Sequence, residues 1–162
     1  MMEILNNILS ALTTENGTLI DILSTPLTIL ELCVFMHFFL VVLSIKATVK
    51  QKRIYLAFSI PIGLICNFII PKPYSNLLTL FVTPFIIMYI FKTSLLKSVL
   101  AELLPVGIIT VLELFLTKCI FVILDTDYDA VATIPLVRVS SILFIYSIIL
   151  LLTHLSKKFN FN

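Results

Sequence analysis

The sequence predicts an all-α fold: a polytopic membrane helical bundle of about five transmembrane helices, with an amphipathic interfacial helix ahead of them. Three observations carry that prediction. First, 60% of the 162 residues are hydrophobic and only 12% are charged, with a mean hydropathy of +1.16. An ordinary soluble domain carries about 25% charged residues, so this chain lacks the polar surface to coat a globule. Second, the apolar residues fall in long runs separated by short gaps, as expected of an up-down bundle. Third, the basic residues cluster in alternate gaps.

Lys46, Lys50, Lys52 and Arg53 fill the first gap, and the second holds only Lys72. The third holds Lys92 and Lys97. The fourth carries Asp125, Asp127 and Asp129, with Arg138 just beyond it, and the chain closes on Lys157 and Lys158. Short cytoplasmic loops of membrane proteins retain positive charge. The rhythm therefore predicts a multi-pass plasma-membrane protein with its N-terminus outside and its C-terminus in the cytoplasm. Glu3, Glu15 and Asp21, with no basic residue before Lys46, agree with an outer N-terminus.

The elements follow in order. Residues 3–12 place Ile4, Leu5, Ile8, Leu9 and Leu12 on one helical face, a helix too short to span about 30 Å of hydrocarbon. Residues 13–17 end it with turn formers. The first span is predicted over 26–45, with Ser24 or Thr25 as cap and Pro26 in the first turn. The second is predicted over 54–70, closed by Pro71-Lys72-Pro73, and the third over 76–91, with Pro84 inside. The fourth is predicted over 95–124, long enough to tilt or kink at Pro105 and Gly107, and the fifth over 135–155. Residues 1–24 thus form an outer interfacial segment, 25–158 one sensor-sized bundle, and 159–162 a cytoplasmic tail. The first residues lack a basic n-region and are interrupted by Glu3, Asn6 and Asn7, which argues against a cleaved signal peptide.

Several function classes are disfavoured. No basic stripe or aromatic platform points to nucleic acid. Cys33, Cys66 and Cys119 each lie inside an apolar run and form no CxxC pair, so neither a zinc site nor a disulfide frame is signalled. They read as small buried hydrophobes. With glycines only at 17, 63 and 107, no phosphate-binding loop can be built. No metal, cofactor or catalytic residue is expected, and the chain is not expected to be an enzyme.

Glu113 is the sharpest candidate for a functional group. It lies near the middle of the fourth span, where a charge costs roughly 2.5 kcal/mol or more. It must be protonated, paired or facing water. Glu102 lies eleven residues earlier, about 20° away around the helix, so the two acids share a face. Lys118 can snorkel toward the outer interface. Its separation of five from Glu113 is poor spacing for a pair on one helix. Glu31 sits near the outer end of the first span, followed by Cys33 and His37 on one face. A Cys–His pair can make a thiolate nucleophile, but no third group orients this one. His37 reads instead as a core histidine. Asn67 is an interhelical hydrogen-bonding candidate. Asp125, Asp127, Tyr128 and Asp129 are the outer groups best placed to meet a cationic or aromatic ligand. Pro84 and Pro105 are the candidate kinks.

Three stretches carry a family resemblance: Ile69 to Asn76 through Pro71-Lys72-Pro73; Ile90 to Pro105 leading to Leu112-Glu113-Leu114; and Ile134-Pro135-Leu136-Val137-Arg138. Together, over roughly residues 26–158, they resemble the N-terminal membrane sensor of GHKL-type sensor histidine kinases of Gram-positive bacteria, of which the accessory-gene-regulator receptors are examples. The resemblance implies an extracellular peptide signal, a homodimer in membrane lipid, and a cytoplasmic helix leading to a kinase. The kinase half is absent from these residues. A small membrane transporter, or the substrate-binding membrane component of one, is the alternative. A signal-maturing membrane peptidase would need its Cys–His pair on the cytoplasmic side, where Cys33 and His37 do not fall.

Overall fold

The computed structural model describes residues 10–14, 17–71, 74–124 and 134–159. Within them the chain forms five long helices: α1 (Gly17–Val42), α2 (Val49–Phe68), α3 (Tyr74–Phe91), α4 (Leu95–Leu124) and α5 (Pro135–Phe159). A helical turn over residues 10–13 precedes α1, and the rest of the predicted interfacial helix lies outside the described residues. The fold is all-helical there. Among the described residues, three stretches are long and apolar enough to cross a membrane: Ile22–Val42, Leu95–Cys119 and Pro135–Lys158. The first has 21 residues, which rise about 31 Å and match a hydrocarbon core. The apolar stretch of α3, Leu77–Phe91, is shorter. The first turns of α2 carry Lys50, Lys52 and Arg53.

The first helix corrects the predicted start. It begins at Gly17, so Pro26 is interior and not in the first turn. An interior proline removes one backbone hydrogen bond and costs about 3 kcal/mol in an isolated helix. Here Ile20, Leu23, Ser24 and Leu27 continue one face, spaced by three and four, that lies along α5. Pro26 is exposed on another side. Packing along that face carries the helix through the proline. The Thr28 hydroxyl also donates to the Ser24 carbonyl oxygen at 2.8 Å.

The first helix stops in a defined way. Ser44 adopts a left-handed backbone with φ 51°. The Ile45 amide donates to the Leu40 carbonyl at 2.9 Å, and the Ser44 amide to the Val41 carbonyl at 3.1 Å. This pair of bonds satisfies carbonyls that a helix end leaves orphaned. Ile45, just past the turn, is buried in the core. The second helix then begins at Val49, earlier than predicted, because Thr48 and Gln51 form a capping box. The Gln51 amide donates to Thr48 Oγ1 at 3.3 Å, and the Thr48 amide donates to Gln51 Oε1 at 2.9 Å. That reciprocal pair holds the basic residues in helix.

The same Gln51 crosses to the last turn of α3, where its Nε2 donates to the Ile90 carbonyl at 2.8 Å. The end of α3 is thereby tied to the start of α2. Ser94 caps α4, accepting from the Lys97 amide at 3.4 Å. Fully buried Ser98 lies 2.8 Å from Thr93 Oγ1 and donates to the Ser94 carbonyl. Both basic gaps therefore lie at one end of the bundle. Pro135 opens α5 at its first position, as predicted, and the helix runs on to Phe159.

Two apolar clusters fill the interior. One, at the basic end, joins Met36, Phe39 and Leu40 of α1 to Tyr55, Ile87, Phe91 and Ala101. Its centre is an aromatic triad: Phe39 meets Tyr55 and Phe91 edge-on, both with centroids 5.7 Å apart. The other joins Val34, Phe35 and Phe38 of α1 to Ile145, Tyr146 and Ile149 of α5, with Leu112 and Leu116 of α4 against it. The first helix is central and contacts α2, α4 and α5, while α3 lies against α2 and α4. Gly63 permits the close approach of α2 to α1, since a Cβ there would sit 3.2 Å from Thr28 Cγ2. Pro84 and Pro105, the predicted kinks, both lie buried within unbroken helices. Gly107 faces open space.

Candidate functional site

A cavity of about 190 Å³ opens between α1 and α5, at the end of the bundle away from the basic loops. The first helix lines it with the stripe from Ile20 through Thr28 to Glu31. The fifth adds Arg138, Val139, Ile142 and Tyr146, one face at spacings of one, three and four. Phe68, the last residue of α2, closes one side. Drug-sized ligands occupy roughly 300–1,000 Å³. This volume suits one side chain or one small headgroup of a larger ligand.

The cavity holds groups of both signs. The Tyr146 side chain lies close to the Glu31 carboxylate, and Tyr146 lies within the electrostatic reach of Arg138. Arg138 and Tyr146 are two turns apart on α5, a rise of about 12 Å. A ligand with a donor or cationic group at Glu31 and an anionic or acceptor group toward Arg138 would satisfy both. Burying either group without a partner is costly, which is the physical reason such a pair selects a polar ligand. Glu31 also lies within electrostatic reach of Glu102 and Glu113 on α4.

The position of the cavity corrects the sequence expectation in part. Glu113 is exposed on the outside of α4 and does not point into the cavity, because positions 109, 112 and 116 take the face packed on α1 and α5. Glu102 is half-buried on the same side of α4. Asn67 lies in the last turn of α2, and its side chain lies outside the described residues. Asp125, Asp127, Tyr128 and Asp129 lie outside them too. His37 is exposed, contrary to its reading as a core histidine, since Phe38 and Phe39 take the packed positions beside it. Of the cysteines only Cys66 is fully buried; Cys33 and Cys119 are half-buried. Among the described residues no three metal-ligating side chains gather.

Sequence reasoning placed Arg138 at the opening of the fifth span without taking it as a site residue, and it did not single out Tyr146. The signal was present in the spacing. Positions 20, 23, 24, 27, 28 and 31 form a helical stripe ending in an acid, and positions 138, 139, 142 and 146 form a second one beginning with a base.

Comparison with protein-family models, with curated proteins and with solved structures finds no match to the chain.

Proposed function

We propose that the chain is the membrane-embedded receptor region of a signalling protein, and that the cavity between α1 and α5 receives part of an extracellular ligand. The observation that carries the reading is the placement of Glu31, Tyr146 and Arg138 together in an opening at the end opposite the basic loops. If those loops are cytoplasmic, by the positive-inside rule, the opening faces outward.

In this reading the chain crosses the plasma membrane five times, with its N-terminus outside and its C-terminus in the cytoplasm. The second helix begins beside Ile90 at the basic end and delivers Phe68 to the cavity at the other. The third returns the chain to the basic end, where Phe91 packs on Phe39. The two shorter apolar stretches then cross by local thinning and by flanking charges reaching the interface. The ligand is a peptide, whose terminal charges or side chains answer Arg138 and Glu31. Its binding is favoured in one arrangement of α5 against α1, which shifts the balance between two arrangements. The fifth helix carries that shift to Lys157 and Lys158. The resemblance to GHKL-type sensor kinases supports a kinase as the recipient.

A solute-binding membrane component of a transporter is the second reading, favoured by the cavity itself. One experiment separates the two. The chain is fused ahead of a GHKL kinase half, and autophosphorylation in vesicles is measured against a library of short extracellular peptides. The proposal expects a peptide-dependent response that Glu31→Gln and Arg138→Gln each abolish while the proteins still insert. A response indifferent to both substitutions would refute the site. Accumulation of a labelled solute inside the vesicles, with no change in phosphorylation, would favour the transporter.

A further inference from the structure

The fourth helix is poorly covered by its own chain. Only 11% of its apolar span is buried, against 39% of the first. Its packed side is set by Ser98, Ala101, Pro105, Ile109, Leu112 and Leu116. The opposite side carries Leu103, Gly107, Thr110 and Leu114, all exposed, with Leu103 45% and Leu114 62% accessible. A Cβ at Gly107 would meet nothing within 4 Å. Two charges flank this strip, Glu113 on one side and Lys118 on the other, and both are exposed. Hydrocarbon is a poor surrounding for either one.

The spacing identifies what covers the strip. Leu103, Gly107, Thr110, Leu114 and Thr117 alternate by four and three, the seam of a parallel two-stranded coil. Written as a heptad, Leu114 and Gly107 take the a positions, and Leu103, Thr110 and Thr117 take the d positions. Glu113 is then a g residue and Lys118 the e residue of the next heptad. Their separation of five is unfavourable on one helix, but it is the separation at which g and e charges meet across two parallel helices. Two copies inserted in one bilayer share an orientation, so a two-fold axis lies along the membrane normal and brings like helices together in parallel. Symmetry then makes the contact self-complementary and forms the charge pair twice.

We propose that a second copy of this chain packs in parallel along the outer face of α4, with Glu113 paired to the partner's Lys118. Gly107 and Thr110 let the backbones approach, and interhelical packing of that kind drives association in lipid. The proposal names the second copy as the occupant because the exposed charges complement each other, and only a parallel copy brings them together. It stands apart from the ligand cavity and does not depend on it.

The test is disulfide cross-linking in native membranes, in a full-length chain with Cys33, Cys66 and Cys119 replaced by alanine. Leu114→Cys should cross-link to a dimer on mild oxidation, and Phe115→Cys, turned away from the seam, should not. Glu113→Lys should weaken Leu114→Cys cross-linking by about tenfold through like-charge repulsion with the partner's Lys118. Adding Lys118→Glu should restore it, which separates charge pairing from misfolding. Equal cross-linking at positions 114 and 115, capture of a different protein only, absence of any dimer, or failure of the double reversal to restore the dimer would each overturn the proposal.

Discussion

The two ends of the bundle are built on different terms. At the basic end the backbone is held by a capping box, a left-handed turn and a side-chain bridge from Gln51 to Ile90. Its interior is a triad of aromatic rings with almost no accessible surface, Phe39 and Tyr55 each at 1%. At the other end, α1 and α5 part around a cavity that exposes a carboxylate, a phenol and a guanidinium. One end is closed and apolar, and the other is open and polar. The difference teaches where change can occur without unfolding. A ligand bound at the open end, as proposed, would alter the separation of α1 and α5 while the closed end keeps the helices in register.

Substitutions should sort by end. Phe39→Ala should be the most damaging, because it empties the centre of the aromatic triad. We expect a loss of about 2–3 kcal/mol, below the usual figure for a soluble core because lipid replaces water as the alternative surrounding. Denaturation by sodium dodecyl sulfate would measure it, and a loss under 1 kcal/mol would break the contrast. Gln51→Ala should follow, at about 1–2 kcal/mol, since it removes the side-chain half of the capping box and the tie to Ile90. The same titration reads that effect. Full stability without Gln51 would mean the basic end is not held as described.

Ser44→Gly sharpens the comparison in the other direction. Glycine adopts the left-handed turn without a Cβ penalty, so stability should rise by about 0.5–1 kcal/mol. A decrease would contradict the turn geometry. Tyr146→Phe, at the open end, should change stability least, by about 1 kcal/mol or less, because only the hydroxyl's polar contact with Glu31 is lost. It should still weaken ligand response, since Glu31 loses the group that orients it. Stability that falls with it as far as with Phe39→Ala would erase the distinction between the two ends.

The helices that packing and charge both mark were readable from the chain. The predicted fourth span, 95–124, coincides with α4, and the third and fifth begin or end within a few residues of α3 and α5. The first start was missed because Pro26 looks like a helix opener in isolation, while the stripe that overrides it becomes significant only once α5 lies opposite. The second start was missed because a basic run reads as a loop; the Thr48 and Gln51 box makes it helix. The site was harder. Glu113 drew attention by depth along the span, a one-dimensional property. Which side of the helix it occupies depends on where α1 and α5 pack. Glu31 is distant in sequence from Tyr146 and Arg138, and meets them only because the first and last helices are neighbours.

Sidedness is the claim on which the receptor reading rests. Cysteines placed singly at Ile20, on the cavity lining, and at Lys50, in the first turn of α2 at the basic end, in a chain without its native cysteines, can be exposed to a membrane-impermeant maleimide on intact cells. The account predicts labelling at position 20 and none at position 50 until the membrane is permeabilised. Labelling at position 50 alone would turn the cavity toward the cytoplasm and contradict it.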